Sequence, residues 1–283
     1  MHRAACMDFK KYFLERWPFQ NERARLYFAA EELPTWWCCQ YPSCSPGRVT
    51  AACHCLEMFF LVNDLLGHMT SEEGSSYIEK LSSIITCEVA PTEGEAIEKV
   101  VYDVWKRIAV IDDILAREVM ELMQNFWRSH TNNKSLEGRR IAGLLECQDQ
   151  ADGSRIVMAL DRLVKGVHLS QEEAHSVAGI EFLFARHAAA LNDLASWEED
   201  RHTERDIDAP AFIPRNLVQV LSDELDVSSR CAENVLSEIC QGWVEKMDHL
   251  VVERIEEGCS DSLREYLNFF TTPTCKSKPE DFY

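Results

Sequence analysis

Gly179-Ile-Glu-Phe-Leu-Phe-Ala-Arg-His-Ala-Ala-Ala-Leu191, followed at once by Asn192-Asp193-Leu194-Ala195-Ser196-Trp197-Glu198-Glu199-Asp200, reads as an apolar helix that ends in a polar ladder. The first part is apolar enough to lie deep in a core. In the second part Asn192, Ser196 and Asp200 recur every four residues, and residues four apart share one face of a helix. An amide oxygen, a hydroxyl and a carboxylate are hard oxygen donors, which suit Mg²⁺ better than zinc or copper. A capping turn or a solvated acidic helix end fits the same spacing.

Composition bounds what such a centre can serve. With 283 residues, 46% of them hydrophobic, the chain is long enough for a sizeable core, and only 11 Gly and 9 Pro argue against an all-β or loop-rich fold. Lys+Arg 29 against Asp+Glu 48 gives a net charge of −19, which argues against nucleic acid and membrane as partners for the surface as a whole. An anionic substrate would need local positive charge, from a metal or from clustered Arg and Lys. The opening Met1-His-Arg-Ala-Ala-Cys-Met-Asp-Phe-Lys-Lys lacks the apolar run of a signal peptide, and no stretch gives the ~18–20 uninterrupted apolar residues of a membrane span. The expectation is a cytoplasmic protein whose 12 cysteines are mostly reduced and buried. Cys38, Cys39, Cys44, Cys53, His54 and Cys55 cluster, but without the paired spacing of zinc modules they read as core and loop thiols.

Taken in order, the chain is helix after helix. Periodicity and Pro/Gly punctuation predict helices over 8–17, 21–32, 48–69, 72–87, 95–130, 136–148, 153–167, 171–197, 214–225, 228–255 and 259–270. The longest, 95–130, carries Val100, Val104, Ile108, Ile111, Leu115, Val119, Leu122 and Phe126 at steps of three and four. No alternation of period two is long enough for a sheet. The prediction is an all-α, single-domain helical bundle over 1–270, with a disordered tail over 271–283.

A second polar feature ends the apolar run Met58-Phe59-Phe60-Leu61-Val62-Asn63-Asp64-Leu65-Leu66-Gly67-His68-Met69. It is either a plain helix end capped by Gly67 or a second ligand wall, with Asp64 joining Asn192, Ser196 and Asp200. Asp112-Asp113 lies in mid-helix by pattern, close to Lys106 and Arg117, and reads as a solvated face. His187 reads as a core histidine and His68 as a surface one.

These motifs resemble class I terpene synthases, fungal aristolochene synthases in particular. Asn192-Asp-Leu-x-Ser196-x-x-x-Asp200 is similar to the family's Asn-Asp-x-x-Ser-x-x-x-Glu magnesium motif, and Asn63-Asp64-Leu-Leu-Gly67 to its Asp-Asp-Leu-Leu-Glu. Tyr102-Asp-Val-Trp105, Leu169-Ser170 and Glu257-Gly-Cys-Ser260 match in the same order, so the resemblance covers roughly 25–270. It implies a class I terpene synthase bundle around a central apolar cavity, in which Mg²⁺ assists diphosphate departure and aromatic faces stabilise a carbocation. Phe60, Trp105, Phe126, Phe182, Phe184 and Trp243 are the aromatic candidates, with Asn63, Asp64, Phe60 and Trp105 closest to the chemistry. Aromatic residues at this spacing also make ordinary core.

The departures from the family pattern are systematic. Asn63 and Gly67 stand where the motif has acids, leaving Asp64. The diphosphate-sensing Arg falls at Gln148, the Lys before the last metal ligand at Glu199, and the C-terminal Arg-Tyr pair is not reached. Three functions fit. The first is an atypical terpene synthase-like enzyme that generates or captures a terpenoid carbocation, joining a preformed terpenoid to water or an amine, with Mg²⁺ reduced to one dependable ion or lost. The second is a conventional Mg²⁺-dependent sesquiterpene cyclase on farnesyl diphosphate with substitute cations among Arg155, Arg186, Arg201 and Arg205. The third is a non-catalytic terpenoid-binding protein. The resemblance also admits a homodimer.

Overall fold

A helix that is apolar all round has no face to offer water, so it becomes the axis on which others pack. In a computed structural model, which describes residues 10–30, 41, 43–86, 89–92, 94–132, 148–203 and 216–272, that axis is α2. The ten named helices are α1 (Glu22–Ala30), α2 (Pro46–Gly67), α3 (Ser71–Ile85), α4 (Ala96–Ile111), α5 (Asp113–Asn132), α6 (Gln148–Lys165), α7 (Gln171–Thr203), α8 (Leu217–Leu225), α9 (Ser229–Glu256) and α10 (Asp261–Phe270). Residues 10–16 are also helical, and there is no strand among the described residues. The all-α expectation holds. The helix predicted over 136–148 falls almost wholly on residues outside those described, and the tail beyond Thr272 lies outside them altogether.

The helices group into two units, one of 1–131 with 159–166, the other of 132–158 with 167–283. In the first, α2 starts on Pro46 in its first turn and buries every residue from Ala51 to Phe59. This helix is long and apolar enough to cross a bilayer, but 72% of its most apolar window is buried in protein. Helix α4 packs against α2 and α3. A capping box starts α3: the Thr70 hydroxyl accepts from the Glu73 N–H, and the Glu73 carboxylate accepts from the Thr70 N–H. Beneath them Asp161 is fully buried, held by the Tyr41 hydroxyl at 3.0 Å and the Lys165 ammonium at 3.1 Å. A buried carboxylate needs such partners. Arg48 donates to the Leu163 carbonyl at 2.7 Å, and a Cβ on Gly166, which has φ +71, would stand 3.4 Å from its guanidinium.

The single helix predicted over 95–130 is in fact two. Asp112 adopts an extended conformation (φ −164, ψ 99) between α4 and α5. Its carboxylate accepts the Leu115 N–H at 3.2 Å and lies 3.9 Å from the Arg48 guanidinium. The apolar stripe continues across the break, so periodicity does not register it. Asp112-Asp113 is accordingly not a mid-helix solvated pair: Asp112 starts a helix, while Asp113 bonds Arg117 on the exposed side at 3.0 Å.

In the second unit α7 and α9 run against each other, and α8 and α10 close the ends. One core cluster joins Val177, Ile180, Leu183 and Phe184 of α7 to Met247 and Val251 of α9 and to α10. The other joins Ala190, Leu194 and Trp197 to α8 and the first half of α9. Helix α7 continues to Thr203, beyond the predicted end at 197, so Asn192, Ser196 and Asp200 all lie on one unbroken helix.

Candidate functional site

The predicted ladder sits on the face of α7 turned away from its core. Leu191, Leu194 and Trp197 are buried, Asn192 is exposed and Ser196 is half-buried. Among the described residues the Asn192 amide has no hydrogen-bond partner. Asp200 follows one turn later by register; its side chain, like those of Glu198 and Glu199, lies outside the described residues. An accessible amide oxygen and a hydroxyl one turn apart fit a hard divalent cation such as Mg²⁺. Among the described residues no group of three or more His, Cys, Asp and Glu comes together. Cys38 and Cys39 of the predicted cysteine cluster lie outside the described residues, and Cys53 and Cys55 are core. Burial pushes the Cys55 thiol well above its usual range.

Asp193, between the ladder residues, has a different task. Its carboxylate accepts the Leu217 N–H at 2.8 Å, and its carbonyl accepts from the Asn216 side-chain amide at 2.7 Å. Asn216 in turn caps α8 by accepting the Val218 N–H at 2.9 Å. Asp193 thus ties α7 to the start of α8, and its anion meets the positive end of that helix. The sequence carried half of this signal: Asn216 before an apolar run marks a helix start, but nothing in the chain pairs it with a residue 23 positions earlier.

The second predicted wall lies in the other unit, at the C-terminal end of α2. Asn63 is half-buried, and Asp64 is solvent-accessible with no hydrogen-bond or ion-pair partner among the described residues. Protein packed around it nevertheless raises the Asp64 pKa through desolvation, which outweighs the opposing influence of His68. His68 is exposed.

The aromatic candidates fall into distinct settings. In the first unit Trp105 and Phe126 are buried, and Phe126 meets Phe59 edge to face at 4.9 Å. Phe60 is 37% exposed and tilts against Phe59 at 5.4 Å. In the second unit Phe184 is buried among Phe269 and Phe270, at 5.2 and 5.8 Å, while Trp243 packs partly buried against both core clusters. Phe182 is 41% exposed, and the Arg186 guanidinium covers its ring at 4.0 Å from the centroid. That ring face is therefore already taken by a cation. His187 is buried, as expected of a core histidine.

Comparison with known proteins bears directly on this arrangement. Residues 54–246, which span both polar features, match the family model described as terpene synthase family 2, C-terminal metal binding. The chain is 32% identical over 247 residues to aristolochene synthase of Aspergillus terreus, covering 87% of this chain and 77% of that protein. It is 28% identical over 258 residues to aristolochene synthase of Penicillium roqueforti, covering 90% and 75%. The crystal structure of aristolochene synthase from Penicillium roqueforti superposes with a TM-score of 0.83 at 26% identity, over 95% of this chain and 90% of that one. A linalool/nerolidol synthase from Streptomyces clavuligerus, at 17% identity, shares the fold with a TM-score of 0.76 over 97% and 96%. The all-α architecture, the oxygen ladder on α7 and the family match over most of the chain lead to one conclusion: this protein belongs to the class I terpene synthases and is similar to the fungal aristolochene synthases.

Proposed function

We propose that this protein is a terpene synthase-like enzyme of sesquiterpenoid metabolism that generates or captures a terpenoid carbocation with a weakened hold on diphosphate. The observation that carries the reading is the end of α2, where Asp64 is the one carboxylate and Asn63 and Gly67 fill the family's acidic positions. A neutral amide binds a divalent cation more weakly than a carboxylate does, and glycine supplies no donor. The sequence substitutions Gln148 and Glu199 remove a cation and reverse another where the family binds diphosphate. Each charge-assisted contact of that kind is worth roughly 1.5–3 kcal/mol.

Asn192, Ser196 and Asp200 would hold Mg²⁺ on α7. Bound there, the ion would neutralise charge on an anionic leaving group. The chain's own residues do the remainder. Phe60, Trp105 and Phe126 in the first unit, and Phe184 and Trp243 in the second, would offer apolar surface and π faces that tolerate positive charge. Asp64, accessible and without an ion-pair partner among the described residues, suits a positively charged co-substrate such as an ammonium. An ammonium would first give one proton to a base or solvent, freeing its nitrogen lone pair; in the bond-forming step the cation's empty orbital takes that lone pair, or one from water, and a further proton leaves the new ammonium or oxonium to a base or solvent.

Incubation of the purified chain with farnesyl diphosphate, and with terpenoid alcohols plus amines, each with and without Mg²⁺, tests the reading by mass spectrometry of products. No terpenoid product in any arm would refute it. A cyclised hydrocarbon formed from farnesyl diphosphate alone, with Mg²⁺-dependent pyrophosphate release, would support a conventional sesquiterpene cyclase instead. The retained Asn192 and Ser196 favour that second reading. Binding without turnover would leave a terpenoid-binding protein.

A further inference from the structure

Within the first unit the start of α2 and the second half of α4 frame a cleft of about 760 Å³, inside the size range of small-molecule sites. Buried Ala51 and His54 form its floor, and Lys106, Arg107 and Val110 stand along the α4 side. Thr50, which also lines it, lies about 21 Å along the axis of α2 from Asp64, at 1.5 Å per residue. The cleft is therefore separate from the polar end of that helix.

Its cations are held differently from others in the unit. Arg48 lies 3.9 Å from Asp112, Lys80 is 2.7 and 2.8 Å from Glu95 and Glu98, and Arg117 bonds Asp113 at 3.0 Å. Lys106 and Arg107 rest on aromatic rings instead, 5.2 Å from the Tyr102 centroid and 4.5 Å from that of Tyr12. Among the described residues neither has an ion-pair partner. A ring face orients a cation without neutralising it and leaves N–H groups open to an acceptor. Asp103 is the acid of the lining, and it accepts the Tyr12 hydroxyl at 3.4 Å. Burial, and then Arg107, pushes the His54 pKa down to about 4, so the floor is neutral near pH 7. Two cations against one acid leave the lining with one net positive charge, in a chain whose net charge is −19.

That balance selects the ligand. The field of the whole chain repels a polyanion, whereas a single anionic group meets the local positive charge. The guanidinium fork of Arg107 matches a carboxylate in two parallel bonds. Val110, 85% exposed beside the cations, and Ala51 beneath them add apolar surface for the rest of the molecule. We propose that this cleft is a second ligand site, which takes a small monocarboxylate with an apolar body. Lys106 and Arg107 receive the carboxylate, and Ala51 and Val110 the body. The proposal is independent of the terpenoid reading and of the metal site.

Calorimetric titration of the full chain with octanoate, and with acetate for comparison, tests the site. Octanoate should bind at least about 10-fold more tightly than acetate, which lacks the apolar body. Lys106→Gln and Arg107→Gln should each weaken octanoate binding about 3- to 10-fold, the range of one solvent-accessible polar contact. Val110→Asp, which sets an anion at an exposed position on the rim, should weaken it at least as much. Lys99→Gln removes the same charge from an exposed position on α4 outside the cleft and should bind as the parent does. Octanoate should also shift the NMR signals of the His54 ring, assigned through His54→Gln, and Val110→Asp should remove that shift. Circular dichroism checks that each variant is folded. No octanoate binding by the parent, unmoved His54 signals at saturation, unchanged affinity in Val110→Asp and Lys106→Gln, equal weakening in Lys99→Gln, or acetate binding as tight as octanoate overturns the proposal.

Discussion

Replacing Asp193 by alanine separates a structural acid from a metal-binding one. The carboxylate accepts the Leu217 N–H at 2.8 Å, at the first turn of a helix whose Leu217, Val218, Val220 and Leu221 are buried. A hydrogen bond to a charged group contributes roughly 1.5–3 kcal/mol, and an anion at a helix N-terminus about 0.3–1 kcal/mol. Because Asp193 is half-buried rather than fully enclosed, solvent screens part of this, and a loss of about 2–3 kcal/mol is the reasoned figure. At about 2–4 °C per kcal/mol for chains of comparable size, thermal unfolding should shift down by about 4–12 °C. Asp193→Asn keeps an acceptor and should lose about half as much. Hydrogen exchange should place the weakening at α8, and product formation below the unfolding range should persist in the folded fraction. An Asp193→Ala protein with unchanged unfolding but no Mg²⁺-dependent activity would refute this reasoning and make Asp193 a ligand.

Asn192→Ala should leave stability within about 0.5 kcal/mol, because the side chain is exposed, while lowering Mg²⁺-dependent product formation by at least the roughly 10- to 100-fold known for outer-shell partners; a Mg²⁺ titration of activity checks this. Asn63→Asp combined with Gly67→Glu should tighten Mg²⁺ dependence and raise pyrophosphate release from farnesyl diphosphate. The added side chain at Gly67 has room, since a Cβ there meets nothing within 4 Å, and unchanged release in the folded variant would count against the weakened-grip reading. His54 is buried, and that burial, with Arg107 and Arg16 nearby, holds its pKa down to about 4. The unfolded chain takes up the proton first, so stability is fully present above about pH 6.5 and falls by about 3 kcal/mol as pH drops from 6.5 to 4. His54→Gln should flatten that window in denaturant midpoints measured at pH 7 and pH 4.5.

What the sequence disclosed follows from where the causes lie. The apolar run of α2 and the ladder register of α7 are local patterns, and both survive in the fold. The α4–α5 break is not local: Asp112 leaves the helix while its carboxylate faces an arginine 64 positions earlier and caps Leu115. The same limit applies to Asp193, whose partners on α8 follow it by 23 and 24 positions. Phe182 illustrates a different one. Its spacing is that of a cavity aromatic, and only the rotamer of Arg186 shows the ring face already covered.

These placements sharpen what the Asn-Asp-x-x-Ser segment says about function. Asp193 belongs to the architecture, since removing it would loosen α8, so its presence would be required of this fold with or without a reaction. Asn192 has no such task. Its side chain is exposed, caps no helix and meets no hydrogen-bond partner among the described residues, and an asparagine in mid-helix is less favourable than alanine by up to about 0.7 kcal/mol. Under the proposed function, an amide held at that small disadvantage one turn before Ser196 would be accounted for by a ligand rather than by folding. Under the proposed function the metal-binding half of the site would stand on Asn192 and Ser196, and the departures at Asn63 and Gly67 would weaken the grip without abolishing it.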